Sequence, residues 1–270
     1  MATLRIKFLA TSVQMQMHLQ VFLPDSVIDA TESGAQMPLK VLWLLHGEGG
    51  DCSDWTRLSM VEHYAQAANI ALVMPNLDNS MAMNMAHGGY PYFRYLTDEL
   101  PHYLRNVVRV LSDRPEDNFV AGVSTGGYGA LRWLLHEPHM FSAGACLSGD
   151  VDMVAALRRR QAKGTLTDDW LAAFGSAAHL EDSADDLFRL AREMANEGAP
   201  PPLAYIVWNE AEHGCQDNRQ AVQRLAQLGL EVVAEEARDC GWALCDRALR
   251  EFIEKFVTVE REGAQPDVAH

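Results

Sequence analysis

The stretch NFVAGVSTGGYGALRWLLH, residues 118–136, decides the fold. Its apolar first part, through Val123, reads as a buried strand, and Thr125 to His136 reads as a helix. Between them stands Gly122-Val-Ser124-Thr-Gly126, a serine between glycines on a strand-to-helix turn. That is the setting of a nucleophile elbow, in which small residues let the backbone take a strained turn that lifts the serine above the sheet. The first amides of the new helix then point at any negative charge that develops there. The plainer alternative is a glycine-rich turn with a bystander serine. A serine hydroxyl is inert at neutral pH unless a neighbouring base takes its proton, so the stretch asks which histidine serves Ser124.

Outward from this turn the chain alternates. KVLWLLHG and NIALVMPN are continuous apolar runs, as expected of central strands in a parallel sheet covered on both faces. SMVEHYAQAA lies between them, with Ser59 and Glu62 at capping-box spacing, so it reads as a crossover helix. Upstream, MQMHLQVFLP alternates as a half-buried strand with His18 facing water. Tyr95 to Leu111 has helical spacing, and SAGACLSG is a further strand. Residues 151–202 break the rhythm: they are charge-rich and helix-like, end in GAPPPLAY, and read as a helical insertion or cap over the sheet edge. LAYIVW, a helix with Ala221, Val222, Leu225 and Leu228 on one face and Gly229 as its stop, LEVVAEE and a last helix through Phe252 and Phe256 complete the pattern. The expectation is one α/β domain over residues 1–258, with a mostly parallel central sheet, helices on both faces, and a loose tail at 259–270.

Composition sets bounds on function. A net charge of -15 repels phosphate backbones and anionic headgroups, so neither nucleic acid nor a membrane surface is an expected partner. The first residues lack a leader's apolar core, and no stretch is long enough to span a bilayer, which together point to a cytoplasmic protein. Five cysteines, an odd number without paired metal-type spacing, favour free thiols. Cys240 and Cys245 read as ordinary small side chains rather than zinc ligands, and Glu212-His213-Gly214-Cys215 as a polar loop. No metal and no cofactor is expected.

With the elbow, the segments VLWLLHGEGGDCSDW, IALVMPNLDNS, YLTDELPHYL, FVAGVSTGGYGALRW and CLSGDVD, and less closely YIVWNEAEHGCQDN and EEARDCGWALCDRALREF, make the chain resemble the esterase D-like hydrolases. Within them it is most similar to the tributyrin esterase group, over about residues 4 to 257. The resemblance implies an α/β-hydrolase fold whose active relatives cleave small acyl esters or thioesters with Ser, Asp and His in that chain order. It places the oxyanion donors at the amides of Thr125 and Glu48, and relatives of this type often self-associate into homo-oligomers.

The same resemblance puts Glu212 where relatives carry the acid; a solvated loop carboxylate beside Glu210 and Asp217 is the other reading of that residue. With Trp242 as anchor, RDCGW puts Cys240 at the position of the catalytic histidine. A thiol cannot do that work, since its reference pKa is about 8.5 and it has no second nitrogen for an acid to orient. Losing a triad histidine typically lowers kcat by about 10⁶. His213, beside Glu212, and His87, in NMAHGGYPYFRYL, are the surrogate bases within reach of the pocket. His46 reads chiefly as a buttress of the oxyanion loop; with His87 and Trp242 it also borders the substrate site. His136 lies eleven residues past Thr125, about 16 Å along the helix and out of range. A carboxylate at Glu48 opposes oxyanion charge unless it points outward. Two functions follow: an impaired esterase built on Ser124, or a catalytically silent binding protein on a hydrolase scaffold. A redox role for Cys240 ranks last, because its acidic surroundings offer no activation.

Overall fold

The computed structural model describes residues 1–27, 38–198 and 200–258, so the expected tail at 259–270 lies outside the described residues. Eight strands form one sheet in the order β1-β2-β4-β3-β5-β6-β7-β8. They are β1 (Ala2–Ala10), β2 (Met15–Leu23), β3 (Val41–Leu45), β4 (Ala71–Pro75), β5 (Asn118–Val123), β6 (Ala143–Leu147), β7 (Leu203–Asn209) and β8 (Glu231–Ala237). The first two strands pair antiparallel with each other, β2 pairs antiparallel with β4, and every later pairing is parallel. This is the α/β-hydrolase fold.

The runs read as central strands are central for the expected reason. Every residue of β3, β4, β5, β6 and β7 is buried, which a sheet covered on both faces requires. Alternate residues serve two cores: Trp43 packs on one face, Leu42 and Leu44 on the other. Strand β1 was not foreseen. It lies at the sheet edge with most of its residues exposed, and its alternation of Leu4, Ile6 and Phe8 with Arg5 and Lys7 turns Ile6 and Phe8 to the core.

The first helices described are α1 (Asp54–Leu58), α2 (Val61–Ala68), α3 (Tyr92–Arg94), α4 (Leu100–Val107) and α5 (Thr125–His136), the last of which starts at the elbow. A π-helical turn at Tyr95–Glu99 joins α3 to α4, so the segment expected as one helix through Leu111 stops at Val107. The capping box does not form. Ser59 instead closes α1 by donating to the Trp55 carbonyl (2.5 Å), and α2 starts after Met60, whose amide donates to Asp246 (2.7 Å).

The insertion carries α6 (Met153–Lys163), α7 (Asp168–Phe174), α8 (Ala177–Leu180) and α9 (Leu187–Glu197). It leaves the sheet between β6 and β7, which are interior strands, and α9 packs on α5. Buried Arg132 of α5 fastens it. That guanidinium pairs with Asp185, donates to the Ala82 carbonyl (2.9 Å) and lies 3.5 Å from the Phe93 ring centroid. A charge removed from water needs partners, and these tie the cap, the 81–93 loop and α5 together, although Arg132 Nε is buried without a hydrogen bond. After β7 come α10 (Cys215–Gln227), ended before Gly229 at φ 95°, and α11 (Gly241–Phe252). No helix among the described residues is long and apolar enough to cross a membrane.

Candidate active site

Ser124 sits where β5 ends and α5 begins, with φ 55° and ψ -122°. A non-glycine residue at positive φ is strained and persists only where its surroundings over-determine it. Here they do. Its amide donates to the Leu147 carbonyl (2.9 Å), and its carbonyl accepts from Gly127 (2.9 Å). The glycines are required by close approach: a Cβ on Gly122 would overlap the Gly126 carbonyl, and one on Gly126 would overlap the His46 carbonyl. Thr125 is the first residue of α5, so its amide belongs to the unpaired N-terminal turn, where a helix favours negative charge.

The His-Gly loop stands against this turn, with an added Cβ on Gly47 falling 3.1 Å from the Ser124 Cβ. His46 is 4% exposed, and both its nitrogens are engaged: Nδ1 with the Gly47 carbonyl at 2.8 Å, and Nε2 accepting the Leu77 amide at 2.9 Å. That pattern fixes the tautomer with the proton on Nδ1. Asn79 completes the brace by accepting the Gly49 amide (2.8 Å) and donating to Asp169 of the cap (3.2 Å). Glu48 is exposed, so its carboxylate faces solvent.

Burial is the dominant influence on His46 and holds its pKa below 6.5, outweighing the opposing bond to Gly47. Between that lowered value and 6.5 the unfolded chain binds more protons than the folded one. The stabilisation is complete above pH 6.5 and is lost as pH falls through the window. A thermal-melt series from pH 8 to pH 5 is expected to show this decline in the native protein and a weaker one in His46→Gln.

A cavity of about 380 Å³ opens at Ser124, walled by Thr125, Ser148, Glu212 and His213 together with cap residues such as Met153 and Trp170. Ser148, at φ 52°, donates through Oγ to Glu212 Oε1 at 2.5 Å. The carboxylate at the acid position thus accepts from a hydroxyl. His213 is exposed at the same cavity. Among the described residues, the Ser124 hydroxyl has no hydrogen bond to an imidazole; the imidazole bonds that exist belong to His46 and His136.

The remaining candidates stand off the cavity wall. His87 is exposed, its amide bonded to the Ala172 carbonyl of the cap (2.9 Å). Trp242 packs edge-on against Trp55, ring centroids 5.1 Å apart. Cys240 is exposed at the N-cap of α11. Its loop is nonetheless tied to the acid loop, since Asn209 donates to the carbonyls of Arg238 (3.1 Å) and Asp239 (2.7 Å). One helical turn further on, Cys245 is buried, which, with the Glu212 charge as a lesser cause, pushes its thiol up to about 12. Cys245 is thus a neutral thiol, unfit as a base.

The sequence profile described as "Putative esterase" matches residues 10–198. The chain belongs to this esterase family. The matched span includes Ser124 and the His-Gly loop but ends before Glu212 and Cys240. An acetyl esterase of Caldicellulosiruptor saccharolyticus is 25% identical over 244 residues, 87% of this chain and 90% of that protein. Among solved structures, the fluorophosphonate-binding serine hydrolase FphF of Staphylococcus aureus superposes with a TM-score of 0.84 at 26% identity, covering 95% of this chain and 98% of that one. The S-formylglutathione hydrolase FrmB of the same organism gives 0.82 at 26%, with the same coverage. The esterase-family serine hydrolase scaffold is thereby established.

Two features of this esterase-family site were not anticipated. Ser148 lies in a segment that resembles the family, yet nothing local marks its hydroxyl as a partner of Glu212. Asn79 joins three segments far apart in sequence, and only the fold brings them together.

Proposed function

We propose that this chain is a slow hydrolase of small carboxylic esters or thioesters, with Ser124 as nucleophile. The observation that carries the reading is the strained Ser124, mounted at a helix N-terminus and open to a cavity large enough for a small acyl ester. Ser124 attacks the carbonyl carbon and the Thr125 and Glu48 amides receive the oxyanion; its collapse breaks the ester or thioester bond, the alcohol or thiol leaves with the proton that Ser124 gives up, and water then hydrolyses the acyl-enzyme to release the acid. Glu212 is the acid, held by Ser148. Cys240 stands at the base position and supplies no proton acceptor, so the step that deprotonates Ser124 limits the rate. His213, exposed on the cavity wall, is the histidine offered for that role. The names of the acetyl esterase and of the S-formylglutathione hydrolase support ester or thioester substrates.

The second reading is a binding protein on a silent hydrolase scaffold, favoured by the Ser124 hydroxyl having no hydrogen bond to an imidazole among the described residues. Hydrolysis of p-nitrophenyl acetate separates the two. The expected result is weak turnover and slow fluorophosphonate labelling, both lost in Ser124→Ala. No Ser124-dependent turnover and no labelling would establish the silent scaffold instead.

A further inference from the structure

The cap brings charge to the cavity for which hydrolysis of a neutral ester has no use. Helix α6 contributes Arg159, Arg160 and Lys163 to the wall that faces Ser124. Arg159 is committed, since it pairs with both Asp150 and Asp217. Arg160 holds its guanidinium carbon 3.8 Å over the Trp170 ring centroid, a cation–π contact that fixes the group while leaving its N–H edge free to donate. Among the described residues neither Arg160 nor Lys163 forms an ion pair with a carboxylate. Of the acidic groups on the same wall, Asp150 is paired with Arg159, while Glu212 takes one hydrogen bond from the Ser148 hydroxyl, keeps its charge, and pairs with neither Arg160 nor Lys163. In a chain of net charge -15, carboxylates are abundant, and these two cations are nevertheless left unpaired at the site. Basic residues in a last helical turn are common for their fit to the helix dipole. That preference does not explain why Arg160 is stacked on a buried tryptophan at the lip of the cavity holding the nucleophile.

We propose that the cavity takes esters that carry a carboxylate, with the reacting carbonyl at Ser124 and the carboxylate against Arg160 and Lys163. One ammonium and one guanidinium whose face is occupied by Trp170 suit a single negative charge. The proposal deepens the esterase reading by naming its substrate class, but its binding test does not depend on turnover.

The probes are monomethyl succinate, a monoanion at pH 7, and neutral dimethyl succinate, titrated calorimetrically into Ser124→Ala protein. The monoanion is expected to bind about 10-fold more tightly at 20 mM NaCl, with the margin shrinking at 200 mM as screening grows. In Arg160→Gln/Lys163→Gln the margin falls below about 2-fold, and Lys163→Gln alone, at an exposed position, removes about 3-fold of it. Equal binding of the two esters, or a margin that survives both substitutions, overturns the proposal. If the double variant does not fold, the single variant and the salt dependence decide in the same way. A carboxylate preference in a protein without Ser124-dependent turnover would leave the anion site standing while the esterase reading falls; turnover without the preference would do the reverse.

Discussion

Gly122→Ala is expected to destabilise the protein by about 3 kcal/mol or more, the upper part of the range for overpacked sites. In a chain of this size that lowers the melting temperature by roughly 6–12 °C. An added Cβ there meets the carbonyl oxygen and carbon of Gly126 and then the Gly127 amide. All are backbone atoms of the first turn of α5 and have no rotamer through which to escape. The turn can relieve the overlap only by opening, and opening it breaks the bond from the Gly127 amide to the Ser124 carbonyl. The strained φ of Ser124 then has nothing to hold it, so the substitution removes the nucleophile's placement together with stability. Gly144→Ala is the control: it lies in the neighbouring strand, and an added Cβ meets the tips of Leu134 and Val120, flexible side chains that yield by small shifts. Thermal melts of the two variants check the difference. Equal melting temperatures would mean that the elbow is not held by backbone contact.

Much of this arrangement could be read from residue order alone, because it depends on local chemistry. Continuous apolar runs such as VLWLL and ALVMP require cover on both faces and so announce interior parallel strands. A serine among glycines between a strand and a helix announces the elbow. What escaped has no local signature. Strand β1 is the exception: Leu4, Ile6 and Phe8 alternate with Arg5 and Lys7, a period-two signal that was overlooked. Ser59 and Glu62 have the spacing of a capping box, but Asp246, 186 residues away from Met60, takes the amide at that helix start. The Ser148 to Glu212 bond crosses 64 residues, and the Arg159 pair with Asp217 crosses 58. Spacing rules capture neighbours within a turn or a hairpin, while these partners are assigned by sheet order.

Cys240→His is expected to raise the rate of p-nitrophenyl acetate hydrolysis by about 10²–10⁴, the usual contribution of a positioned general base. The backbone at that position accepts the residue. Residue 240 caps α11 in extended backbone, φ -138° and ψ 164°, a conformation histidine adopts without strain. Its loop is fixed to the end of β7, three residues before Glu212 in the chain, by the two Asn209 bonds. An imidazole entering there needs an acceptor for its second N–H. Glu212 has one oxygen engaged by Ser148 and the other without a hydrogen bond among the described residues, so it can accept from the new histidine while keeping the old contact. The gain is therefore expected to depend on Glu212: Cys240→His/Glu212→Gln should lose at least about tenfold of it, because a neutral amide cannot stabilise the imidazolium that forms. Ser124→Ala in the same background should remove it entirely. The pH profile separates a true base from a repaired fold, since a working imidazole makes kcat/KM rise with pH through a pKa near 6.5. A rate gain without that rise, or one indifferent to Glu212, would show that position 240 does not address Ser124.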